Sequence, residues 1–282
     1  MKSFLVTVVL YNKRPQEAST IMCLSQLSAA MKDNMKVVVW NNSPQDFASS
    51  QKAELFALLD GIELRYKHND GKNLPLSAIY NSTIKEYLDT DFLVIMDDDS
   101  IFDESMFEKA LDAIEKNPEI DLFLPIVYNG NDIVSPAYMN MFKGHYFKEV
   151  NPGVMTTKHV TAINSGMIIS SKYLKNSFEG YDERIKFYFT DNDFMSRYDS
   201  SHDKLFVLDY KMKHTLDFYK KGESFEKKKR RFRDLRRSFL ILMKRQGWLA
   251  YTLTQLYLFV YSVKFSIIQR AVSYTHLTLP TI

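Results

Sequence analysis

Short apolar runs, each stopping abruptly on a cluster of polar residues, constrain this chain more than any other feature. Phe4 to Leu10 (Phe-Leu-Val-Thr-Val-Val-Leu) has no charge and no polar alternation, as a strand buried on both faces requires. Met35 to Trp40 repeats the pattern and ends at Asn41-Asn42-Ser43-Pro44, a strong turn signal. Ile62 to Tyr66 reads as a third strand. Phe92 to Met96 is a fourth, stopping at Asp97-Asp98-Asp99-Ser100, and Leu122 to Val127 is a fifth. Helical patterns lie between them. Pro15 stands where a helix can begin, and Ile21, Leu24, Leu27 and Met31 follow at helical spacing. Leu55, Leu58 and Leu59 mark a short helix and Leu76 to Leu88 another. Asp103 is placed to cap a helix running to about Asn117.

Strand and helix alternating at this spacing predict an α/β fold with right-handed crossovers and a mainly parallel sheet flanked by helices. Ligands of such sheets collect at the carboxyl ends of the strands, where strand order reverses. Tyr11-Asn12, Asn41-Asn42 and Asp97 to Ser100 all follow strands, so they are expected along one edge. Residues 128–160 are aromatic and irregular. Val160 to Ser170 is strand-like, Asp191 is placed to cap a helix through Tyr198, and Leu205 to Leu208 is a short strand. With no repeat and no linker before Lys220, residues 1–219 are expected to form one domain.

Composition narrows the class. At 282 residues and 45% hydrophobic, the chain buries a full core, which excludes disorder. Nine Gly and eight Pro are too few for a loop-rich all-β fold. The lone Cys23 excludes a disulfide framework and a cysteine zinc cluster, and its place on an apolar helical pattern predicts a small buried hydrophobe. No signal peptide is visible, so the expected location is cytoplasmic.

Three adjacent carboxylates at a strand end repel one another unless they are solvated or bound to a cation. Their hard oxygens suit Mg2+ or Mn2+, ions that keep waters and bridge substrate phosphates. The pattern around them resembles a known family. Thr7-Val8-Val9-Leu10-Tyr11-Asn12 is similar to the first strand of family 2 glycosyltransferases, which have the GT-A fold, a Rossmann-like mixed sheet. Asn41-Asn42-Ser43 is similar to the polar turn near their nucleoside. Asn73-Leu74-Pro75-Leu76-Ser77-Ala78-Ile79-Tyr80-Asn81 resembles their helix-opening segment, with Pro75 where Gly is usual. Asp97-x-Asp99 resembles their DxD motif. Asn164 to Ile169 and Gly180 to Arg184 resemble the acceptor-side segment. Thr190-Asp191-Asn192-Asp193-Phe194 with Arg197 resembles the catalytic-carboxylate motif, with Thr190 in place of a frequent Glu. The motifs come in family order across residues 3–219.

The resemblance implies a role for each. Asp99 would ligate the metal, and Asp97 would bind the nucleotide ribose or a metal-bound water. Tyr11, Asn12, Asn42 and Asn73 would line the nucleotide. Asp191 would take the acceptor proton, with Asp193 in reserve, giving inversion in one displacement. His214, near a position where many members bring a His to the metal or diphosphate, is a further metal candidate. Trp40 and Tyr11 are equally suited to flank a nucleobase or to serve as core or rim aromatics.

The formal net charge of +3 conceals a division. Lys220 to Arg245 holds twelve Lys/Arg against Glu223, Glu226 and Asp234, while residues 1–219 are acidic overall. By itself the basic run suits nucleic acid or an anionic membrane. The 18 uncharged residues between Arg245 and Lys264 decide for the membrane: Leu249, Leu253, Leu256, Val260 and Val263 fall on one helical face, interrupted by polar residues that disfavour spanning. Residues 220–271 are therefore expected to form amphipathic helices seated on the inner face of the cytoplasmic membrane, and no nucleic-acid partner is expected. Val272 to Leu277 resembles the translation of a transposase end used as a sequencing adaptor, so residues 272–282 are expected to be foreign and the natural C-terminus missing. The expected activity is an inverting transfer of a sugar from a UDP- or dTDP-sugar to a lipid-linked saccharide of a surface polysaccharide such as capsule or O-antigen. The alternative is a non-catalytic nucleotide-sugar-binding or scaffold subunit of a membrane polysaccharide complex.

Overall fold

The computed structural model describes residues 2–140, 143–213 and 225–278. Its strands are β1 (Phe4–Leu10), β2 (Met35–Asn41), β3 (Glu63–His68), β4 (Phe92–Asp97), β5 (Leu122–Asn129), β6 (Asp132–Ser135), β7 (Ala137–Asn140), β8 (Lys143–Tyr146), β9 (Gly153–Thr156), β10 (Val160–Thr161), β11 (Met167–Ser170) and β12 (Lys204–Lys213). The helices are α1 (Ser19–Ser25), α2 (Ala29–Lys32), α3 (Ser49–Leu58), α4 (Leu76–Tyr87), α5 (Ser105–Lys116), α6 (Ser171–Asn176), α7 (Thr190–Asp199), α8 (Phe225–Arg245) and α9 (Trp248–Thr278).

The main sheet runs β3-β2-β1-β4-β11-β5-β12-β9, with β6 on β5, and a small sheet β10-β7-β8 stands beside it. β1 to β4 pair in parallel, in register from Phe4 opposite Met35 and Phe92 to Leu10 opposite Asn41. β11 runs antiparallel to both β4 and β5, and β9 antiparallel to β12. The architecture is thus mixed α/β, mostly parallel, with helices on both faces.

Pleating divides the apolar runs between two cores. Phe4, Val6, Val8 and Leu10 face Ile21, Leu24, Leu55 and Phe107, while Leu5, Val38 and Trp40 face Ile79, Tyr80, Phe194 and Tyr198. Each fully buried side chain of this size contributes about 1.5–3 kcal/mol, which is why these positions are apolar on both sides of the sheet. Trp40 is core, not a platform for a base: it is buried, and its indole N–H donates to Thr83 at 2.9 Å. Cys23 is half-buried against the first core.

Three expectations are corrected. The helix expected from Pro15 through Met31 is broken into a 3-10 turn (Pro15–Glu17), α1 and α2, because Ser28 caps a new start by accepting from Met31 N. Residues 128–160 are not irregular but hold β6 to β9, all short. The run Val160 to Ser170 splits into β10 and β11 around Asn164-Ser165-Gly166. That break needs glycine: Gly166 has φ +86°, and a Cβ there would lie 2.6 Å from Pro125 Cγ. Gly166→Ala is expected to lower the unfolding free energy by about 2–4 kcal/mol, adding left-handed strain to overpacking, whereas Gly130→Ala, open on all sides at φ +62°, costs about 1 kcal/mol by urea denaturation.

Candidate active site

Strand order reverses between β1 and β4. The chain leaves β1 toward β2 and β3, and later enters β4 on the other side, so the turns after Leu10 and Met96 flank the opening. Buried hydroxyls fix the acidic turn. Thr20, at the start of α1, donates to Asp97 O and accepts from Ser100 N at 3.2 Å. Ser165, from the break before β11, accepts from Asp97 N at 3.3 Å and pairs with the Ser100 hydroxyl. Neither Thr20 nor Ser165 was legible as a residue that fixes this turn, since they act on the Asp97 backbone from 77 and 68 residues away.

The three carboxylates do not stand alike. Asp98 turns to Lys13, whose Nζ lies 2.7 Å from its Oδ1. Burial pushes Asp98 above the usual range while Lys13 opposes it, and the Asp99 charge adds to the rise. Asp98 is thus engaged by Lys13, and Asp97 and Asp99 flank it in the same turn. Among the described residues no three His, Cys, Asp or Glu side chains gather into a cage of their own. Two hard carboxylates without a cage fit a Mg2+ or Mn2+ ion that completes its shell with water and phosphate oxygens. His214 lies outside the described residues.

Of the residues expected to line a nucleotide, Tyr11 is 45% exposed and Asn12 has a left-handed backbone (φ 53°), with its N–H donated to Ser43 Oγ at 2.8 Å. Asn42 is engaged otherwise than the resemblance implied. Its Oδ1 accepts from Asn69 Nδ2 and Leu74 N, both at 2.8 Å, and its Nδ2 donates to Asn73 Oδ1 and Leu74 O. A buried amide with all four contacts made is a staple for the loop from Asn69 to Leu74 and has no atom to spare for a nucleoside. Asn73 is held by the same staple and stays exposed.

Asp191 and Asp193 both lie in the first turn of α7, and the helix turns them to different surroundings. Asp193 is fully buried. It accepts from Asp182 N–H at 2.9 Å, from Arg197 Nε at 3.1 Å, and from Arg245 at the end of α8. Asp182 also binds Arg245 and grips Arg184 Nη2 at 2.6 Å, and Arg184 above all holds its carboxyl well below the usual range. Asp191 keeps partial solvent access although protein packs densely around it, and it makes no ion pair among the described residues. Burial pushes its carboxyl up to about 6, and the charge of Asp97 adds to the rise. The buried hydroxyls of Tyr80 and Tyr181 sense the same carboxylates, Tyr80 both Asp97 and Asp191. Asp191 thus lies within electrostatic reach of Asp97, and Asp193 lies in an ion-pair cluster.

The two departures from the family pattern are both built in. Thr190 is buried and its hydroxyl accepts from Asn164 Nδ2 at 2.9 Å. Pro75 precedes α4, and its carbonyl accepts from Ala78 and Ile79 N at 3.1 Å. Removing Asp193 takes one carboxylate from each of two guanidinium groups, leaving Arg197 with Glu179 and Arg245 with Asp182, and deprives the Asp182 N–H of its acceptor. Asp193→Ala is expected to cost about 2–4 kcal/mol in urea denaturation, and Asp191→Asn less than about 1 kcal/mol.

Among solved structures, a fragment of S. aureus TarS (1–349) superposes with a TM-score of 0.56 at 17% identity, over 76% of this chain and 60% of that one. GalNAc-T7 with UDP, GalNAc and Mn2+ gives 0.59 at 10% identity, over 79% and 45%. The mannosyltransferase PcManGT from Pyrobaculum calidifontis, with GDP-Man and Mn2+, gives 0.56 at 11% identity, over 91% and 70%. The chain therefore spans less than two thirds of the length of TarS and GalNAc-T7, and at these identities the likeness is one of fold, GT-A. No curated protein matches in sequence. The profile of glycosyl transferase family 2 matches residues 5–178, more than half of the chain, and the protein belongs to that family.

Proposed function

We propose that this chain is an inverting glycosyltransferase using a UDP- or dTDP-sugar and Mg2+ or Mn2+. The observation that carries the reading is the environment of Asp191, desolvated and within electrostatic reach of Asp97, the residue that ends β4 beside the switch point of the sheet. A bound cation held by Asp97 and Asp99 would neutralise the leaving diphosphate. Asp191 accepts the proton of the acceptor hydroxyl as that oxygen attacks the anomeric carbon. A carboxyl raised to about 6 is a stronger base than an ordinary one yet remains ionised at neutral pH. Tyr11 and Asn12 border the nucleotide, and Lys13 holds Asp98 clear of it.

The acceptor is proposed to be a saccharide, lipid-linked, of a surface polysaccharide. A cavity of about 290 Å³ beside α7 supports the saccharide: His159, Thr161, Asn192, Ser196 and Gln246 supply hydrogen-bonding groups, with Leu242 as an apolar wall. The lipid link is supported by α9. No helix among the described residues is long and apolar enough to cross a membrane. Trp248, Leu256, Phe259, Val260 and Ile267 on α9 are nonetheless 59–79% exposed, next to the basic α8. An apolar face beside a polybasic one suits an anionic membrane surface, at roughly 1 kcal/mol per basic group. In this reading residues 1–219 are the transferase domain and 220–271 the membrane-associating segment.

Three measurements test the reading. Transfer or donor hydrolysis in a screen of nucleotide sugars with Mn2+ is expected to stop with EDTA and to fall at least about 10³-fold in Asp99→Ala and Asp191→Asn; full turnover in either variant would discard the site. The rate is expected to rise with pH through an acid limb near 6, because only ionised Asp191 accepts the proton. Vesicles containing anionic lipid are expected to carry the protein down at low salt, with neutral vesicles and DNA leaving it in solution, and Trp248→Ser with Phe259→Ser is expected to abolish the effect.

A further inference from the structure

The C-terminal hairpin touches the body of the molecule on both sides of Asp191. Two residues before it, Phe189 closes the entry to α7 with a left-handed backbone (φ 68°) that a bulky residue adopts only when its surroundings hold it. Its ring lies flat on that of Phe239 from α8, centroids 4.8 Å apart and planes 4° from parallel. Phe239 is buried, together with Leu242, Met243 and Leu258, in a small core shared by α8 and α9. Two residues after Asp191, the buried Asp193 receives the guanidinium of Arg245, the last residue of α8. The same guanidinium holds Asp182, which follows Tyr181, and Tyr181 packs its buried ring against Phe194 of α7.

The sheet domain by itself already gives each of these carboxylates a cation: Arg197 for Asp193 and Arg184 for Asp182. Arg245 bridges the two carboxylates, adding a guanidinium to the Asp182 N–H bond that already ties the first turn of α7 to the loop before it. We propose that Arg245 is a positioning residue for Asp191, and that with Phe239 it makes the hairpin part of the catalytic apparatus. This rests on the reading of Asp191 as the base. The hairpin grips the turn that carries the base at its two flanking residues and leaves the acidic turn at Asp97 to the sheet.

The consequence is a separation of effects. In the same reading nucleotide and metal binding belong to β1, β2 and β4, whereas the hairpin contacts described above fall on α7 and the loop before it. The test uses the full chain with Arg245→Met, Arg245→Lys and Phe239→Leu, and Lys175→Met, an exposed cation at the end of α6, as a control of equal charge. Amide exchange over residues 190–194, UDP affinity in Mn2+ and steady-state turnover of the donor found by the screen are measured. Arg245→Met is expected to speed exchange in that turn, to lower kcat about 10²-fold as a misplacement of about an ångström does, and to leave UDP affinity and donor KM within about twofold. Arg245→Lys, which restores the charge on one carboxylate, is expected to recover about tenfold, and Lys175→Met to match the parent. Unchanged exchange over 190–194 in both Arg245→Met and Phe239→Leu overturns the proposal, as does a loss in Arg245→Met that appears equally in UDP affinity. Absence of turnover in the parent protein on every donor would count against Asp191 as a base, and the exchange result would still decide the clamp.

Discussion

Three carboxylates forced together at the end of a buried strand repel one another, and the polar half of the sheet is organised around that repulsion. The fold answers it three times. Lys13 neutralises Asp98 from the end of the neighbouring strand. Thr20, Ser100 and Ser165 lock the backbone of the turn through hydroxyl contacts, so that the acids cannot relax outward. The residual negative field of Asp97 falls on Asp191, where it adds to burial in raising a carboxyl from its ordinary value to about 6. The same repulsion that destabilises the turn prepares it for a cation.

The strands of the parallel half were readable because burial on both faces leaves a continuous apolar run, and β1, β2 and β4 came within a residue or so of expectation. Residues 128–160 were opaque for the opposite reason. β6 to β9 are four residues each, too short to display a period, and some pair outside the main sheet. The break between α1 and α2 was hidden because Leu27 and Met31 stay on the helical stripe while Ser28 ends the helix. At the site, residue types revealed the acidic turn and the α7 carboxylates, but not which of them faces which. Asn42 is the clearest case: it has the right chemistry in the right place, yet Asn69 and Leu74 consume it, and no pattern within the sequence reports such a partner.

The two positions that depart from the family pattern need no catalytic explanation. Thr190 occupies a buried pocket where its hydroxyl meets Asn164, and a charged Glu there would have to be accommodated among buried neighbours. Pro75 fixes the backbone ahead of α4 while its carbonyl still accepts the first helical bonds. Both are local solutions to holding a helix start, and both leave Asp97, Asp99 and Asp191 in place.

The reversed direction of β11 has its own consequence. β5 ends at Asn129 on the same edge of the sheet as Asp97, and because β11 runs against its neighbours its first residues return to that edge. The excursion between them, residues 130–166, therefore begins and ends beside the cleft. Lengthening or shortening of its loops is felt at the mouth of the site, while β6 and β9 within it keep their pairings with β5 and β12. Members of such a family can diverge in what they admit by altering loop length here, while the parallel strands that hold the nucleotide edge keep their register.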